Sequence, residues 1–217
     1  MNNRQTLLEG VFERLRSTLG AQYWWPADTP FEVIVGAILT QNTAWKNVKQ
    51  AIGKLREYNL LTPEAIAVLS ITDLASLIRS SGYYNQKARK LMGFCMHLQD
   101  RWHNQLEAFL NQDMTTLRTE LLGLHGIGPE TADSIILYAA EQPSFVVDTY
   151  TYRIFSRHGW IPEATGYEEL RSFFMDALRP DVALFQEYHA LLVRAGHLYC
   201  KKQQACEACP LNQWQEV

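Results

Sequence analysis

Residues 124–133 read LHGIGPETAD, with two glycines two positions apart, Gly126 and Gly128, followed directly by Pro129 and the acid Glu130. Glycine reaches backbone angles that other residues avoid, and proline suits the first position of a helix, where a missing N–H costs nothing. The segment therefore predicts a tight hairpin whose amides converge at a helix N-terminus, a geometry that favours anions and phosphate in particular. Taken alone, the same residues also describe an ordinary turn between two helices. Eighteen positions past Glu130 stands an isolated acid, Asp148, in the apolar stretch FVVDTY at 145–150.

The rest of the chain is that of an ordinary globular protein. Its 217 residues are 47% hydrophobic and 20% charged, enough for one large domain or two small ones around a real core. The first twenty residues alternate polar and apolar at helical spacing without a signal-peptide run. No stretch reaches the roughly 18 apolar residues of a membrane span, so a cytoplasmic protein is expected. Net charge is −3, and the pI near 6.1 does not advertise nucleic acid. The distribution says more: residues 46–90 carry eight bases against three acids. Such a run is either a solvated helix face or the footprint of a phosphate-contacting surface.

Periodicity predicts a mostly helical chain. QTLLEGVFERLRSTLG (5–20) places Leu7, Leu8, Val11, Leu15 and Leu19 on one stripe and stops at Gly20. TPEAIAVLS and TDLASLIRS open on Thr62 and Thr72 as expected N-caps. FEVIVGAIL (31–39) is β-branched, but its apolar content runs on past a strand's length, so a buried helix is expected. SFVVDTY (144–150) reads as a buried connector ending at a helix start, with Asp148 near the cap.

LHGIGPETADSIILYA followed by VVDTYTYRI resembles the helix-hairpin-helix, Gly/Pro…Asp signature of the HhH-GPD DNA glycosylases related to endonuclease III. FEVIVGAILTQNTAWKNV is similar to that family's early barrel helix with its TQNT turn, SSGYYNQKARKL to its G-φ-Y-N-x-K-A loop, and AGHLYCKKQQACEACP to its C-terminal cysteine loop. The resemblance implies an all-α, two-lobed fold with a DNA cleft. One lobe is a helical barrel over residues 22–133, ending in the hairpin. The other combines residues 1–21 with 134–217. It further implies that Asp148 is the catalytic carboxylate, stabilising the oxocarbenium-like sugar or aligning a water as the base leaves. Gly126, Gly128 and Thr131 would meet a DNA phosphate. Gln41 would fill the gap in the duplex, Tyr83 would wedge into the opposite strand, and Asn85, Lys87 and Lys90 would hold backbone.

Bifunctional members of the family carry a lysine on the first turn after the hairpin, which attacks the sugar through a Schiff base. Glu130 takes that place here and cannot form the imine. A base worked on inside duplex DNA must leave the stack and be held, commonly by aromatic rings. WWP at 24–26 and LTQNT resemble the bacterial 3-methyladenine branch, which implies a base pocket of Trp24, Trp25 and Trp45. Such rings suit a cationic alkylated purine.

Three cysteines cluster as C-x5-C-x2-C: Cys200, Cys206 and Cys209. Relatives of endonuclease III carry C-x6-C-x2-C-x5-C around a 4Fe–4S cluster, which takes four thiolates. This chain is one residue short in the first gap and has Gln215 where the fourth cysteine would fall. Cys95 reads as a core residue. An incomplete cluster site, zinc on the three cysteines with His197, and a loop held by packing remain open.

The expected function is that of a monofunctional base-excision glycosylase favouring alkylated purines such as 3-methyladenine. It would be a nucleoid-associated monomer acting on damaged double-stranded DNA, with no cofactor needed for the chemistry. Two alternatives stand beside it. One is an endonuclease III-type glycosylase/AP lyase on oxidised pyrimidines or mismatched thymine or uracil. The other is a non-catalytic DNA-binding module.

Overall fold

A computed structural model describes residues 3–201, 203 and 205–212. Among them the regular structure is helical, with no β-strand. In chain order the helices are α1 (Asn3–Leu19), α2 (Pro30–Leu39), α3 (Trp45–Glu57), α4 (Pro63–Ala67), α5 (Ile71–Leu77) and α6 (Tyr84–Trp102). They continue as α7 (Leu106–Leu110), α8 (Met114–Leu122), α9 (Pro129–Tyr138), α10 (Thr149–Arg157), α11 (Tyr167–Met175) and α12 (Val182–Leu198). No described helix is long and apolar enough to cross a membrane.

The chain divides into two compact units, Met1–Pro26 with Pro143–Val217, and Ala27–Gln142. The division falls between Gln142 and Pro143, within the connection that follows α9, rather than after residue 133 inside that helix.

In the 27–142 unit, α2 is the central apolar element. Pro30 sits in its first turn, Thr29 caps it by accepting from the Glu32 N–H, and Phe31 through Leu39 are all buried. The apolar run of 31–39 is thus a helix because a proper cap and proline start it and every face finds a neighbour. Glu32, buried with them, is matched by Arg56 of α3, whose Nη2 lies 2.7 Å from Oε1. α4 starts at the expected cap, Thr62. α5 does not start at Thr72. Ser70 caps it, accepting from the Asp73 N–H while its own hydroxyl donates to Asp73 Oδ2 at 2.6 Å. That reciprocal pair closes the helix start two residues earlier.

In the other unit, α1 buries Leu7, Leu8, Val11, Phe12 and Leu15 and ends at Gly20, whose φ is +71°. Its core is aromatic: Phe145 stacks on Phe174 at 3.9 Å between centroids, and Tyr188 meets both edge-on. The Tyr188 hydroxyl donates to the Leu8 carbonyl at 2.9 Å, tying α12 to α1. The connector through Ser144–Val147 is buried, so it delivers Asp148 to α10 from within a packed core.

Candidate active site

The hairpin forms between α8 and α9. The Ile127 N–H donates to the Leu124 carbonyl at 3.1 Å, and Gly126 sits at φ +81°. A β-carbon at Gly126 would lie 2.4 Å from Lys90 Cε and 2.7 Å from its Cδ and Cγ, so glycine is needed for both the angle and the space. Gly128 is different. Its φ is −92°, open to any residue, and a β-carbon there would meet nothing within 4 Å. As N-cap of α9 it offers no side chain to the helix's first amides, and Pro129 follows in the first turn.

The hairpin is anchored from three sides. Gln41, in the turn after α2, donates from Nε2 to the Gly126 carbonyl at 3.1 Å and to Thr131 Oγ1 at 2.9 Å. Lys90 Nζ donates to Gln41 Oε1. Asp133, fully buried, accepts from Arg118 Nε at 2.9 Å and Nη2 at 3.0 Å, clamping α9 on α8. Sequence reasoning missed the Arg118–Asp133 pair, because an acid one helical turn into α9 carries no sign that it faces inward.

Three residues expected to meet DNA point into the protein. Lys87 is 2% exposed, and its Nζ donates to the Leu39 carbonyl at 2.8 Å and the Ser81 carbonyl at 2.6 Å. It does not hold a DNA backbone; it links the end of α2, two residues before Gln41, to the loop two residues before Tyr83. Burial, with the Lys90 charge second, pulls its pKa down to about 8. Thr131 is buried, its hydroxyl engaged by Gln41. The amide of Gln41 is occupied by the hairpin rather than projecting outward. Their helical spacing and polar types could not distinguish an inward from an outward side chain.

Other residues do face out. Tyr83 is 67% exposed in the left-handed conformation, φ +44°, at the cap of α6. Asn85 follows it, also exposed. Glu130 is exposed on the first turn of α9. The basic run of 46–90 therefore does not form one uniform surface: Arg56 is taken up by Asp28 and Glu32, and Lys87 is buried.

In the other unit Asp148 is itself the N-cap of α10. Its Oδ1 accepts from the Thr151 N–H at 2.7 Å and the Thr151 hydroxyl at 2.8 Å. The second oxygen, Oδ2, lies 3.9 Å from Nε2 of His189, which projects from α12 and is buried. Burial lowers the pKa of this imidazole, against the opposing pull of the Asp148 charge. His189 had no motif to announce it. Tyr150 completes the surroundings: its hydroxyl lies 3.1 Å from His197 Nε2, and its ring fills the space a β-carbon on Gly196 would need. Burial first, and the Asp148 charge second, raise the pKa of its phenol, with Arg153 opposing.

Trp24 and Trp25 meet edge to face, 6.1 Å between centroids and 72° between planes, and both are partly exposed. Trp45 opens α3 in the 27–142 unit, also partly exposed.

The C-terminal loop is docked by arginines. Arg153 Nη1 donates to the Cys200 carbonyl at 3.0 Å, and Arg157 Nη1 to the Lys201 carbonyl at 2.7 Å and toward Cys200 Sγ at 3.3 Å. Burial raises the pKa of Cys209, and the nearby Cys200 and Cys206 add to the rise. Among the described residues no three His, Cys, Asp or Glu side chains are grouped to hold a metal ion. The remaining thiol, Cys95, is buried in α6 of the other unit with its pKa pushed up to about 12 by burial. Residue 215, a glutamine, lies outside the described residues. Three thiols do not match a four-thiolate cluster shell.

Residues 35–180 match the family model of the HhH-GPD superfamily of base excision DNA repair proteins. The chain belongs to the HhH-GPD superfamily. The matched residues include the hairpin and Asp148 and leave out Trp24, Trp25 and the cysteine loop. A Methanocaldococcus jannaschii protein provisionally named a DNA repair glycosylase is 42% identical over 98% of this chain and 97% of its own. Endonuclease III of Thermotoga maritima is 32% identical over 84% of this chain and 81% of its own. Among solved structures, the H. pylori 3-methyladenine DNA glycosylase bound to 1,N6-ethenoadenine superposes with a TM-score of 0.77, at 27% identity over 88% of this chain and 97% of that one. The fold is thus the all-helical one of this superfamily, and the chain is a member of its DNA glycosylases.

Proposed function

We propose that this HhH-GPD protein is a hydrolytic DNA glycosylase that releases alkylated purines and leaves an abasic site uncut. The observation that carries the hydrolytic reading is Glu130, exposed on the first turn of α9, where the family's strand-cutting members would present an amine. In this reading Asp148 is the catalytic carboxylate. Thr151 holds one oxygen with two hydrogen bonds, fixing the carboxyl plane so that Oδ2 can face the sugar. As the glycosidic bond lengthens, positive charge grows on the deoxyribose; a fixed carboxylate in a poorly solvated setting stabilises that charge or aligns the attacking water.

Gly128 supports the role of the hairpin. The fold does not require glycine there, so a bare backbone serves whatever approaches from outside, and amides at a helix start suit a phosphate. Gly126, Gln41, Thr131 and Lys90 act by setting the hairpin's shape. Tyr83 would enter the duplex with Asn85 beside it, and Trp24 and Trp25, which meet edge to face, would hold the extruded base. An alkylated purine bears positive charge and an already weakened glycosidic bond, so aromatic faces and a single carboxylate suffice.

The test is a panel of duplexes carrying methylated purines, oxidised pyrimidines, or uracil and thymine mismatches, scored for free base and for borohydride-trapped adduct. The reading expects base release from the methylated duplex and no adduct. Release confined to oxidised pyrimidines, or a trapped adduct, would replace it with the lyase alternative. No release from any duplex would leave a binding module.

A further inference from the structure

Beside Tyr83, on the 27–142 unit, α5, the turn at Arg79–Ser81 and the start of α6 enclose an open groove of about 480 Å³. Two arginines face it, Arg79 and Arg89, together with Asn85, Tyr84, Thr72 and Ser76. All six can donate hydrogen bonds, and none of the eight lining residues is acidic. Both arginines are exposed and make no ion pair with a described residue; Arg79 lies over the Tyr84 ring, 5.9 Å from its centroid.

We infer that this groove binds the phosphodiester backbone of DNA, on the strand that Tyr83 enters. The inference rests on the reading above, in which Tyr83 wedges into the strand opposite the extruded base. Three features select that ligand. Two uncompensated guanidinium groups share one groove on a chain of net charge −3, and guanidinium forks match phosphate oxygens. The remaining donors are neutral hydroxyls and an amide, as suits a grip on the backbone without base reading. Tyr84 and Asn85, which line the groove, directly follow Tyr83 in the chain, so a strand parted at Tyr83 would pass close to it. The exposed Ile71 and the Ala75 wall give the sugar face an apolar partner.

The test is equilibrium binding of an undamaged, fluorescently labelled duplex, followed by anisotropy over a salt series. The wild type is compared with Arg79→Gln/Arg89→Gln and with Arg101→Gln, an exposed arginine of α6 outside the groove. Circular dichroism confirms that each variant folds. Removing one arginine–phosphate pairing lowers the slope of log K against log salt by about 0.9. The double variant is expected to lose about 1.8 from the slope and Arg101→Gln nothing. An unchanged slope in the double variant, or an equal loss in the control, overturns the groove while leaving the glycosylase reading intact. A wild type that binds no duplex at any salt overturns that reading itself.

Discussion

The aliphatic stem of Lys90 lies where a β-carbon of Gly126 would be, its Cε only 2.4 Å from that position. Helix α6 and the hairpin are therefore fitted to each other at one glycine, while Gly128, two residues on, touches nothing with its missing side chain. The two glycines of one motif do different work, and substitution separates them. Gly126→Ala should lose about 1–2 kcal/mol of stability for the left-handed angle alone, and more for the displaced lysine. Gly128→Ala, at an N-cap whose angles any residue can adopt, should cost less than about 1 kcal/mol yet weaken duplex binding. Thermal melts and duplex titrations of both variants check this; equal loss of stability in the two would contradict it.

Lys87 offers a pH signature. Its pKa is near 8 in the folded protein against 10.5 for the free side chain. Below pH 8 both states are protonated. Between 8 and 10.5 the unfolded state binds more protons, so stability gained from this residue rises with pH, by on the order of 3 kcal/mol at most. The hydrogen bonds to Leu39 and Ser81 favour the charged form and reduce that figure. The difference in unfolding free energy between wild type and Lys87→Met should climb over this window. A flat or falling difference would mean that these hydrogen bonds offset burial and that the pKa is not lowered. Since the group cannot reach a phosphate, the salt slope of DNA binding should be unchanged in this variant.

Asp133, fully buried, accepts two hydrogen bonds from the half-buried Arg118. Asp133→Ala removes both charge-assisted bonds and should cost about 1.5–3 kcal/mol. Chemical denaturation measures it. A cost below about 1 kcal/mol would show that the pair does not clamp α9.

The proposed hydrolytic role can be tested by converting Glu130 into a lysine. Borohydride should trap no adduct between the wild type and a DNA abasic site, whereas Glu130→Lys should give one, because the exposed first turn of α9 then presents an amine. An adduct formed by the wild type would show that another lysine serves.

Much of this fold can be read from the chain because its signals are local. The stripe of Leu7, Leu8, Val11 and Leu15, the stop at Gly20, the Thr62 cap and the proline start of α9 depend on neighbours a turn away. The start of α5 was less legible, since Ser70 and Thr72 are both good caps and only the reciprocal bond to Asp73 decides between them. Among the site residues, the hairpin and the placement of Asp148 at a helix start followed from residue type and order. What the sequence could not convey was side-chain direction. Lys87, Thr131 and Gln41 have the chemistry of DNA contacts, yet all three spend it on carbonyls and hydroxyls inside the 27–142 unit. His189, with no motif, is brought to its partner by a helix distant in the chain, and Asp133 lies inside the hairpin motif yet turns inward to Arg118.

Single-turnover base release from a methylated duplex by wild type and Asp148→Asn tests the proposed catalytic role of Asp148 most directly. The variant keeps an oxygen that can accept from Thr151 and so keeps the cap, but it loses the charge. Release should fall by on the order of 10²–10³-fold or more, with the melting temperature and duplex affinity retained. Release at the wild-type rate by a folded, DNA-binding Asp148→Asn protein would contradict the assignment.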